Sequence, residues 1–234
     1  MEEENKNNDT EEVKENKINT DEILKETANT FNEVKDQVKG SFNKEDLKKN
    51  ANETKNFIFG MFKNPIEELK KIADDTNNSY FKYSIILVAV WILAVLISFS
   101  AGIRTINIFR YILPIIKLIL SPIAIVFIMS LIIFVMNKNK DKGLMTIISV
   151  VTATKLPVVM ARVISLLVLF SSDISRLTTR FTTLCSVIST VLLYFGIKFI
   201  FNEDDDKKFI KTFAIIEGIY YIAAIIMSFL QISM

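Results

Sequence analysis

Four ionisable side chains stand inside or beside long apolar runs of this 234-residue chain: Lys155, Arg162, Lys198 and Glu217. A Lys or Arg at the centre of a membrane helix costs about 2.5–3.5 kcal/mol on insertion scales, so each needs a partner or a route to water. Lys198 lies near the end of its run, where its aliphatic stem can carry the ammonium to the surface. Lys155 and Arg162 are two helical turns apart and therefore share a face of a continuous helix. Glu217 sits about one turn into the last apolar run. The chemistry open to these three is an intramembrane ion pair, Glu217 with Lys155 or Arg162, which would tie two helices together or line a polar cavity. The alternative is a surface half-helix ending at Leu156, followed by a short span. Lys155 and Glu217 would then lie near the headgroups. The residues alone leave both open.

Most other site chemistry is excluded. The chain has no His, so neither a Ser-His-Asp or Cys-His nucleophile nor a His-assisted metal site can be built. Cys185 is alone, which rules out an intrachain disulfide and a Cys metal cluster. Six glycines supply neither GxGxxG nor GxxxxGK[ST]. The expectation is a protein with no catalytic residues, no metal site and no cofactor: not an enzyme.

The elements that must position these charges come from the apolar pattern. Tyr83 to Ile103 carries no charge and, at ~1.5 Å of rise per residue, spans roughly 30 Å, the thickness of a hydrocarbon core. Four further spans are expected at 118–136, 144–170, 181–201 and 213–230. Lys117, Pro114 and Pro122 crowd the start of the second, so residues 105–122 are read as interfacial or re-entrant. Pro157 removes an amide and predicts a kink near Thr152–Leu156. Ala94 with Ser98, and Thr182, Ser186 and Ser189, mark close helix contacts.

Charge is divided unevenly. Residues 1–79 carry 13 Lys against 19 acids, net −6, and residues 80–234 are net +8. That asymmetry predicts a water-facing arm on a membrane domain. The Lys and Arg of the membrane half sit singly between apolar runs, so nucleic acid is not an expected partner. With the arm inside, inner segments hold 11 Lys and Arg and outer loops 5, which places the N-terminus in the cytoplasm and the C-terminus outside a cell membrane.

Within the arm, residues 1–19 have almost nothing to bury and read as disordered. Leu24, Ala28, Phe31, Val34, Val38 and Phe42 then recur at helical spacing, either as an amphipathic helix or as a loosely helical linker. Phe57-Ile58-Phe59-Gly60-Met61-Phe62 is the strongest apolar cluster. Asn64-Pro65-Ile66-Glu67 after it has the form of a helix start, with Asn64 as cap and Pro65 in the first position. Ile66, Leu69 and Ala73 share a face. Phe57, Phe59, Phe62, Lys63, Lys70 and Lys71 are candidate membrane-interface anchors; packing of this helix onto the bundle is the other reading. The chain is thus divided into an arm over 1–56, an interfacial helix and hinge over 57–79, and a membrane domain over 80–234. Tyr80, Phe81 and Tyr83 are read as the aromatic belt of the first span.

Three short motifs fall in a recognisable order: Lys63-Asn64-Pro65-Ile66-Glu67 before the first span, Ala153-Thr154-Lys155-Leu156-Pro157 in the third, and Leu193-Tyr194-Phe195-Gly196-Ile197-Lys198 closing the fourth. From about Asn56 onward the chain resembles the bacterial branch of the Yip1 family, five-span membrane proteins with a cytoplasmic N-terminus. The resemblance implies no catalysis and a role of membrane-organising or trafficking-like type. Eukaryotic members bind small GTPases, but no GTPase site carries over. The expected fold class is all-α: a polytopic bundle of about five transmembrane helices with a charged, partly helical or disordered N-terminal arm. Its expected partners are the lipid bilayer, a protein bound by the arm, and a further copy of the chain. The rival class is a small transporter or channel component that uses Lys155, Arg162 and Glu217 as its polar path.

Overall fold

Backbone amides with no water to bond must satisfy one another, and long apolar runs do this most simply as helices. The computed structural model describes residues 44–100, 111–137, 142–166, 175–202 and 205–229, and every element among them is helical. In chain order they are α1 (Lys44–Lys63), α2 (Pro65–Ala73), α3 (Phe81–Ser100), α4 (Ile112–Met136), α5 (Leu144–Thr154), α6 (Leu156–Leu166), α7 (Ser175–Phe201) and α8 (Asp206–Phe229). The stripe from Leu24 to Phe42 lies outside the described residues.

Helix α5 is the axis. Of its 11 residues, 10 are buried, and it is enclosed by α2, α3, α4 and α7. Ile147, Val150 and Val151 are fully buried and join Leu87 and Trp91 of α3, Met129 and Ile133 of α4, and Leu193 and Ile197 of α7 in one core. Side chains on the outer faces are also apolar, as lipid requires: Leu93 and Ile97 on α3, Leu120 and Ile123 on α4, Leu184 and Val187 on α7. Among the described residues three helices are long and apolar enough to cross a membrane, or four when α5 and α6 count as one bent span. The fifth expected span, 213–230, overlaps α8, a helix of 24 residues that is not among these.

Helices α5 and α6 meet at 46° across Lys155. Pro157 has no amide to return to the carbonyl of Ala153, so the ladder breaks where the expected kink lies. Helix α4 differs from expectation. It runs unbroken from Ile112 through Lys117 to Met136, with Pro122 inside it. Pro114 falls in its first turn, where amides have no intrahelical partner to lose, so the helix begins before Lys117 rather than after it. Residues 101–110 lie outside the described set. Helix α1 likewise runs through the boundary drawn at residue 56.

Candidate functional site

Two polar assemblies emerge, one inside the bundle and one at its end. The inner group of polar residues includes Lys155 at the break. Lys155 caps α5, its amide bonded to the Thr152 carbonyl at 3.0 Å, while its own carbonyl accepts from Val159 of α6. The side chain is half-buried, and across the bundle it feels the charge of half-buried Glu217 on α8. The pair makes neither a hydrogen bond nor an ion pair within 4 Å. Three buried hydroxyls in the interior, Ser130 of α4, Thr152 of α5 and Ser189 of α7, also have no hydrogen-bond partner.

Arg162 is not part of this assembly. It is exposed on α6. Two turns of one straight helix would have put it beside Lys155, but the 46° break removes that shared face. Lys198 reaches the end of α7 and meets Asp206 of α8 at 2.6 Å, close to where Asp205 accepts from the Lys207 amide at the start of α8.

The outer assembly is a collar formed by α1, α2 and the turn that follows. Asn64 does not cap the α2 backbone; its amide group donates to the Glu67 carboxylate at 2.9 Å, while Pro65 takes the first helical position. Leu69, Ile72 and Ala73 are buried against α5 and α7. The contact is close because Gly196 of α7 has no side chain. A Cβ there would stand 2.7 Å from Val150, 3.3 Å from Thr154 and 4.0 Å from Leu69. The glycine of the Tyr-Phe-Gly-Ile-Lys motif is therefore the place where α2, α5 and α7 converge.

The collar is also pinned to α3. Phe57 is 7% exposed and stacks on Tyr83 with ring centroids 5.2 Å apart, Tyr80 lying at 6.0 Å. Lys82 and the Tyr83 hydroxyl both donate to Glu53 of α1. The turn between α2 and α3 is closed by Asp75, whose carboxylate accepts from the Asn77 amide, the Ser79 hydroxyl and the Tyr80 amide. Asn78 takes a positive φ of 54° there, a conformation asparagine tolerates. Burial, and then the Glu68 charge, raise the Tyr80 phenol above its ordinary range. Lys142 reaches Asp74 at 3.3 Å, and Thr146 donates to Asn78 and to the Asp75 carbonyl. The collar and the turn before α5 thus lie at the same end of the bundle.

Of the candidate anchors, Phe57 is turned into this contact and away from lipid, because Tyr80 and Tyr83 offer it a stacked site. Phe59 and Phe62 are 63% and 59% exposed, and Lys63, Lys70 and Lys71 are exposed as well. Of the expected aromatic belt, Phe81 is buried in protein, while Tyr80 and Tyr83 pack on α1 and stay half-buried. The Glu53–Lys82 link was not foreseen, and charge alternation in the arm gives no signal for a pairing across that distance in sequence.

A family model described as the Yip1 domain matches residues 59–228, well over half of the chain. No curated protein and no solved structure matches it.

Proposed function

This chain belongs to the Yip1 family and is a membrane protein, and from that premise we propose that it acts without catalysis, as a membrane-organising scaffold of trafficking-like type. In this reading five spans hold it in the cell membrane, with the N-terminus in the cytoplasm and the C-terminus outside. The segment ahead of Lys44 is its arm for a protein partner.

The observation that carries the reading is the seating of the collar. Phe57, Met61, Leu69, Ile72 and Ala73 belong to the same buried core as α5 and α7. A segment entering at Lys44 is therefore delivered from a fixed place on the bundle. The Asp74–Lys142 contact supports the orientation, since it gathers two lysine-bearing segments at one end.

Deletion of residues 1–43 tests it. Helix α1 is part of the core and must stay. Crosslinking on intact cell membranes followed by pull-down is expected to lose the partner when the arm is removed, with the bundle still folded. Capture of the same partner without the arm contradicts the reading.

A second reading, a small transport or channel component, is favoured by Lys155 and Glu217. Two half-buried opposite charges on the helices of the bundle, each within the other's field, are the kind of groups a polar path would use. Reconstituted flux that disappears in Glu217→Gln would establish it; absence of flux in the native chain would dismiss it.

A further inference from the structure

The collar has a second face. Counting along α1, Asn52, Lys55, Asn56, Phe59, Phe62 and Lys63 fall on one side of the helix, and all are exposed. Between Asn52 and Lys63 no acid shares that stripe. Phe57 and Met61, on the other side, are buried. Around the corner on α2, Ile66 and Lys70 are one turn apart on the adjoining flank, with Ile66 45% exposed. The acids of α2 are engaged locally: Glu68 lies against Gly60 in the corner between the two helices and holds Lys71 at 2.7 Å, and Glu67 accepts from Asn64. Lys55 lies over the Phe59 ring, 6.0 Å from its centroid. Among the described residues, none of Lys55, Lys63 and Lys70 is paired with a carboxylate.

The position of α2 says what this face meets. Leu69 packs toward Gly196, which stands within the apolar span Thr178–Phe201 and more than a turn inside its end. The collar is therefore beside the wall of the bundle, at the depth of the span's last turns, and does not sit above it. An outward face beside the end of a span stands at the level where headgroups meet acyl chains.

We propose that Lys55, Phe59, Phe62, Lys63, Ile66 and Lys70 form a docking surface for anionic phospholipid in the leaflet that surrounds the collar. Phe59, Phe62 and Ile66 enter the boundary between headgroups and acyl chains, and the three ammonium groups hold the phosphates. Aromatic and aliphatic side chains beside lysines are the composition that binds in this layer. Each lysine near an anionic surface adds about 1 kcal/mol, about fivefold in partitioning. This goes beyond the scaffold reading and does not rest on it, because the face lies on the collar and outside the arm of residues 1–43.

The test uses the full chain with Cys185→Ser, reconstituted in nanodiscs of phosphatidylcholine with or without phosphatidylglycerol. An environment-sensitive label at Phe59→Cys or Phe62→Cys is expected to be quenched by lipid-borne nitroxide and spared by aqueous iodide. Phosphatidylglycerol, and not phosphatidylcholine, is expected to raise the thermal midpoint of the unlabelled protein in detergent. The triple variant Lys55→Gln, Lys63→Gln, Lys70→Gln should lose most of that shift while keeping the midpoint measured without added lipid. Labels open to iodide in both nanodiscs overturn the proposal. So does a label in lipid with no preference for phosphatidylglycerol. Labels open to iodide in nanodiscs but shielded in native membranes would show that a protein covers the face, and would overturn it too.

Discussion

The two polar assemblies are built in opposite ways. At the collar, where water is near, polar groups close on one another directly: Glu53 with Lys82 and Tyr83, Asp75 with its turn, Lys71 with Glu68. Inside the bundle, where an open polar group is most costly, Lys155 and Glu217 stand apart and three hydroxyls have no partner. The contrast teaches that the collar is built for attachment. The interior keeps polar groups that packing alone would have removed.

Substitutions can break that contrast, and the largest effect is expected at the collar. Phe57→Ala removes a buried ring stacked on Tyr83 and should cost about 3 kcal/mol or more, read as a lowered unfolding midpoint in detergent. A cost near zero would mean α1 is not seated on α3. Gly196→Leu comes next. Its side chain must displace Val150, Thr154 and Leu69, an overpacking expected to cost about 1–3 kcal/mol and to loosen α2 as well as α7, visible as new proteolysis near residue 69.

The interior pair should give less. A double-mutant cycle on Lys155→Met and Glu217→Gln is expected to show a coupling of about 1 kcal/mol, and the same cycle with Arg162→Gln none beyond about 0.5 kcal/mol. Coupling through Arg162 would mean the break at Lys155 is not maintained in the membrane. Smallest is Glu53 with Lys82. Both are partly open to water, so Lys82→Gln should change stability by about 0.5 kcal/mol and less in high salt.

Much of this was legible in the residues, and the exceptions have physical causes. Apolar length located α3, α4 and α7, and Pro157 located the break. Period 3.6 showed that Leu69 and Ala73 share a face, but not whether lipid or protein covers it, because both accept the same side chains. The cluster from Phe57 to Phe62 has no polar interruption apart from Gly60, so periodicity could not tell buried Phe57 from exposed Phe59. Tyr80 and Tyr83, far along the chain, make that choice. Lys155 and Glu217 were visible as charges in apolar runs. Arg162 was grouped with them because helical spacing assumes a straight helix, and the proline that bends it removes the assumption. Pro122 carried the same warning in α4, yet there the helix continues, since a proline also persists where neighbouring helices support the turn.

Helices α1 and α2 are a layer of the membrane domain and not a tethered tail. Hydrogen exchange on the full chain in nanodiscs tests it most directly. Amides of Leu69 to Ala73 should exchange as slowly as those of Ile147 to Thr154 in α5, and should speed up together with them in Gly196→Leu. Exchange across residues 57–73 at the rate of unprotected amides, with α5 still protected, would contradict it.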